Sequence, residues 1–146
     1  MNDPVMVRVF PRLECCVPDF TGKNAALAGI LHQVKQEVSD LAKIEVVPNT
    51  TSAERIIYYE QMIDALLAGG YELPFLEGAR EWGALRREHS ALKTRSFYSS
   101  GILKRSREIG FFLFSITPVI AINGKAVFVG KVPSADQLIE AIRSSL

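Results

Sequence analysis

Cysteine, histidine and tryptophan are scarce in this 146-residue chain, which holds two, two and one of them. The two cysteines are neighbours, Cys15 and Cys16, so they cannot form the spaced framework of a disulfide-stapled domain. No Cys–His spacing matches a zinc site. His32, mid-helix by pattern, and His89, in a charged segment, are expected to be solvated or packed. Charge of one sign is also lacking: 17 Lys and Arg against 16 Asp and Glu leave a formal net charge of +1. That balance gives the whole molecule no reason to bind nucleic acid or an acidic membrane surface. No apolar run reaches membrane-spanning length, because Ile109 to Ile122 is broken by Ser115, Thr117 and Pro118. The beginning, MNDPVMVRVF, has neither the basic segment nor the apolar core of a signal peptide, so a reducing cytoplasm is the expected setting. What is present is ordinary globular composition, 48% hydrophobic and 23% charged, at a length that supports one core.

The pattern along the chain predicts alternating strands and helices. Val5, Val7 and Val9 alternate with Met6, Arg8 and Phe10 in a short strand that Pro11 ends. Pro18 and Asp19 suit a helix start, and Phe20 to Leu41 follows with Leu27, Ile30, Leu31, Val34, Val38 and Leu41 on one face. Lys43 to Pro48 is a second strand, and a β–α–β crossover of this kind implies parallel neighbours. Ser52 is the expected cap of the next helix, with Arg55 three places on, so no complete capping box is expected there. Its apolar stripe reads Ile56, Tyr59, Met62, Ile63, Leu66 and Leu67, up to a Gly69-Gly70 stop. Tyr71 to Tyr98 shows only a weak stripe, and a further helix is expected from about Ser99 to Leu113. Val119 to Ile122 reads as a buried strand. Asn123-Gly124 turns it into a partner strand, Ala126 to Val129, and Ser134 caps a last helix with Leu138, Ile139 and Ile142 inward.

The turn after the first strand carries the chemistry. VFPRLECC places two thiols between a strand end and a helix start, where partial positive charge favours the thiolate. Arg12 works in the same direction; Glu14 and Asp19 oppose it.

The element order β-α-β-α-β-β-α, with a cysteine after the first strand and a proline before the third, resembles the thioredoxin fold. The resemblance rests on Phe10 to Cys15, on Thr117-Pro118 and on VIAINGKAVFVGKVPSADQLIEAI. It implies an α/β sandwich in one domain, 1–146, with the helical region between the second and third strands enlarged over about 51–113. It also implies that Cys15 is the nucleophile and that the Thr117–Pro118 bond is cis, with both residues beside the thiols to receive substrate. The resolving cysteine of the family's Cys-x-x-Cys falls at Pro18 and is missing. Adjacent Cα atoms sit about 3.8 Å apart, less than the roughly 4.4–6.8 Å of a relaxed disulfide, which disfavours a Cys15–Cys16 bridge. The CC turn is similar to that of arsenite metallochaperones, although their further cysteine has no counterpart in VPDF, Val17 to Phe20.

Three functions follow as expectations. One is thiol–disulfide exchange through Cys15, with Cys16 as helper, a protein or small-molecule thiol or disulfide as partner, and no cofactor. The second is soft-metal or metalloid binding by Cys15 and Cys16, completed by ligands from another subunit or a client. The third is a non-enzymatic interaction module. Trp82, Phe97, Tyr98, Phe111, Phe112 and Phe114 read most simply as core, and alternatively as a contact surface for a homodimer. The charged run from Arg80 to Arg107 reads as a solvated face, with an acidic partner as the alternative.

Overall fold

The computed structural model describes residues 3–13, 22–71 and 115–146. Within them the chain is mixed α/β, with four strands in one sheet and three helices. The order is β1 (Val5–Phe10), α1 (Lys23–Val38), β2 (Ala42–Val46), α2 (Ser52–Ala68), β3 (Val119–Ile122), β4 (Lys125–Val129) and α3 (Ala135–Ser144). Across the sheet the strands run β2-β1-β3-β4. β1 and β2 are parallel, with Val5 opposite Ala42 and Val9 opposite Val46. β1 and β3 are antiparallel, with Val7 opposite Ile122 and Phe10 opposite Val119.

Alternation along β1 sorts its side chains onto two faces. Val5, Val7 and Val9 join Leu27, Leu31, Val34 and Val38 of α1 and Leu138, Ile139 and Ile142 of α3 in one cluster. Phe10 joins Tyr58, Met62, Ile63 and Leu66 of α2 in a second cluster on the opposite face. α1 and α3 therefore cover one side of the sheet and α2 the other. β3 is buried throughout, which is why its sequence, VIAI, is continuously apolar rather than alternating. Met62 and Leu66 are fully buried, and burial of side chains of this size contributes about 1.5–3 kcal/mol each.

Turns and caps follow local chemistry. Asn123 and Gly124 have φ values of 50° and 82°, the left-handed pair that a two-residue hairpin with matched twist requires. Asn123 also extends the β1–β3 ladder. Its side-chain oxygen accepts from the Met6 amide at 3.0 Å, and its own amide donates to the Met6 carbonyl at 2.8 Å. β3 and β4 slip register between Ile120 and Ala121, so that Val127 has no opposite residue and stands 42% exposed. Ser134 caps α3 as expected, and Gln137 closes the box.

Three local expectations change. The cap of α2 is Thr51, not Ser52; this places Glu54 at the third helical position and completes the capping box that Arg55 would have denied. Leu67 is exposed, and Tyr58 takes an inward place instead. Tyr58, Met62 and Leu66 are spaced by four and share the buried face, so the stripe is rotated towards Tyr58 and away from Leu67. α1 begins at Lys23 with Gly22 as its cap in the left-handed region, and no side chain caps it. The expected start at Pro18 and Asp19 lies outside the described residues, as do the enlarged helical region beyond Tyr71 and its aromatic residues. No described helix is long and apolar enough to cross a membrane.

Candidate functional site

Because Phe10 ends β1 and Val119 begins β3, and the two are opposite in register, Pro11 and Pro118 leave the sheet at the same end. The Thr117–Pro118 peptide is cis. Thr117 is fully buried, and the Pro118 carbonyl accepts from the Gly130 amide at 2.9 Å. Gly130 follows β4 with φ 78°, a conformation that glycine adopts without steric cost. Its carbonyl in turn accepts from Lys23 Nζ at 3.1 Å, tying the start of α1 to the same corner.

The segment that leaves β1 is held from three directions. The Tyr58 hydroxyl of α2 donates to the Pro11 carbonyl. Asn49 Nδ2, from the loop after β2, donates to that same oxygen at 3.3 Å. Asn24, in the first turn of α1, binds the Arg12 backbone twice. Its Oδ1 accepts from the Arg12 amide at 2.9 Å, and its Nδ2 donates to the Arg12 carbonyl at 2.8 Å. Arg12 thus finds partners for its backbone without a neighbouring strand. Such pairing matters because an unpaired buried backbone group costs about as much as a lost hydrogen bond.

Electrostatics at this corner are dominated by burial. The Tyr58 phenol is pushed well above its ordinary pKa, first by desolvation and then by Tyr59; Asn49 and Arg12 act weakly in the opposite direction. Tyr58 is therefore a neutral donor. It stacks edge-on against Phe10 at 5.6 Å and Tyr59 at 5.3 Å between ring centres. On the other side of Pro11, a cavity of about 340 Å³ is bounded by Asn24, Leu31, His32, Lys35 and Val46. His32 is exposed and shares a 3.3 Å hydrogen bond with Gln36, which agrees with its solvated reading.

Of the residues expected at the site, Thr117 and Pro118 are brought to the end of β1. Cys15 and Cys16 lie outside the described residues, as do His89 and the charged run from Arg80 to Arg107. No cluster of three metal-ligating side chains occurs among the described residues. Tyr58, Asn24 and Asn49 were not expected there. Tyr58 lies four residues before Met62 and eight before Leu66, a spacing that puts it on their face of the helix. Nothing in the sequence marks Asn24 as a backbone partner of Arg12, twelve residues earlier.

No family model, curated protein or solved structure matches this chain.

Proposed function

We propose that the chain is a thioredoxin-like protein that carries out thiol–disulfide exchange through Cys15. The observation that carries this reading is the register of Phe10 opposite Val119, which puts Thr117-Pro118 beside the segment running out of β1 towards Cys15. The sheet order β2-β1-β3-β4, with α1 and α3 on one face and α2 on the other, supports the fold assignment. The corner also lies at the carboxyl ends of the parallel strands β1 and β2, where α/β sheets place their ligand sites.

In this reading the Cys15 thiolate attacks one sulfur of a substrate disulfide. A mixed disulfide forms and the other sulfur leaves as a thiolate. An external thiolate then attacks the mixed disulfide, takes the bound sulfur and restores the Cys15 thiolate. The external thiol is required because Pro18 occupies the resolving position. Reduced protein exposed to glutathione disulfide tests this by mass spectrometry. The Cys16→Ser variant is expected to gain one glutathione and the Cys15→Ser variant none. Equal modification of both variants would remove Cys15 from its assigned role.

A further inference from the structure

Among the described residues β2 pairs only with β1, so its outer side is a sheet edge. An edge strand offers unpaired N–H and C=O groups to any second strand that fits. The side chains of β2 sort cleanly: Lys43 and Glu45 lie on one face and both are exposed, whereas Ala42, Ile44 and Val46 lie on the other. Val46 is 46% exposed although it borders the apolar cavity beside α1. Opposite charges two residues apart on an edge strand have a specific consequence. In an antiparallel pair made by a two-fold axis through Ile44, Lys43 of one copy stands directly opposite Glu45 of the other, twice over.

We propose that β2 is a self-association edge, pairing antiparallel with β2 of a second copy of this chain about Ile44. The charges select that register. Side chains keep their faces only when the strand shifts by two residues at a time. Centring the axis on Lys43 puts lysine against lysine, and centring it on Glu45 puts glutamate against glutamate. Both arrangements are unfavourable for directly opposed like charges. Only the Ile44 register pairs opposite signs. On that same face Arg8 of β1 lies 3.8 Å from Glu45, so the row across the joined sheets would alternate Arg8, Glu45 and Lys43 of the second copy. On the other face Ile44 meets itself, and Val46 faces the Ala42 of the second copy, covering part of its exposed surface. The contact is isologous and closes at two copies. It does not depend on the thiol chemistry.

Sedimentation velocity of the full chain at low salt, with thiols kept reduced and concentration raised from micromolar to millimolar, tests the pairing. The wild type should reach twice its 16.2 kDa chain mass. Lys43→Glu and Glu45→Lys should each remain monomeric, because each single reversal opposes like charges. An equimolar mixture of these two variants should dimerise, as should the double exchange Lys43→Glu/Glu45→Lys. Far-UV circular dichroism should be unchanged for all of them, since both positions are exposed. A wild type that stays monomeric to millimolar concentration would overturn the proposal, and so would dimers indifferent to either single reversal.

Discussion

The Tyr58 hydroxyl donates to the carbonyl of Pro11, joining the middle of α2 to the residue that follows β1. Asn49 reaches the same oxygen, so the exit of β1 is fastened to two other parts of the chain. Removing the hydroxyl in Tyr58→Phe leaves the carbonyl with Asn49 alone and keeps the aromatic packing against Phe10. The expected loss is about 1 kcal/mol of folding stability, the net worth of one such bond. Urea denaturation should show a lower midpoint with an unchanged slope.

The same phenol makes stability pH-dependent in alkali. Burial raises its pKa in the folded protein, while the unfolded chain ionises near the ordinary value of about 10. Above that pH the unfolded state has lost a proton that the folded state keeps. Stability is therefore fully present below about pH 10 and declines as pH rises beyond it. Tyr58→Phe should flatten this part of the profile, measured as urea midpoints between neutral and strongly alkaline pH.

Thr51 and Glu54 close the first turn of α2 reciprocally. The Glu54 amide donates to Thr51 Oγ1 at 3.1 Å, and the Thr51 amide donates to Glu54 Oε1 at 2.9 Å. Thr51→Ala should cost about 1 kcal/mol. The Glu54 carboxyl lies below its ordinary pKa, chiefly through the Thr50 hydroxyl and then the Thr51 amide. Its contribution is present above the unfolded carboxyl pKa and fades as pH falls through the folded one. Thermal melts of wild type and Glu54→Gln should therefore converge in acid.

At Gly69 a side chain has no room. A β-carbon there would lie 2.7 Å from the Ala126 carbonyl oxygen, a backbone atom of β4. Gly69→Ala would gain helix propensity in isolation. In the folded protein it should instead lose about 1–3 kcal/mol, because the end of α2 must back away from the sheet. A fall in melting temperature checks this.

Much of this architecture was legible beforehand because its signals are local. The alternation of Val5 to Phe10, the Asn123-Gly124 turn and the Ser134 cap each act over a few residues. In α2 two registers fit the local signal: Thr51 and Ser52 are both capping residue types, and the apolar residues allow a stripe through either Tyr58 or Leu67. The corner around Pro11 was legible only in part. Pro11 after β1 and Pro118 before β3 mark it in the sequence, but the hydrogen bonds from Tyr58, Asn49 and Asn24 join residues 12 to 47 positions apart. Sequence periodicity carries no record of such pairs.

The proposed function rests on Cys15 being a chemically active thiol. Its most direct test is the rate of alkylation of Cys15 by iodoacetamide across pH in a Cys16→Ser background, with the modified residue located by peptide mass spectrometry. An active thiol should titrate below the unperturbed value of about 8.5. A midpoint at or above that value would contradict the claim and leave the fold without its proposed chemistry.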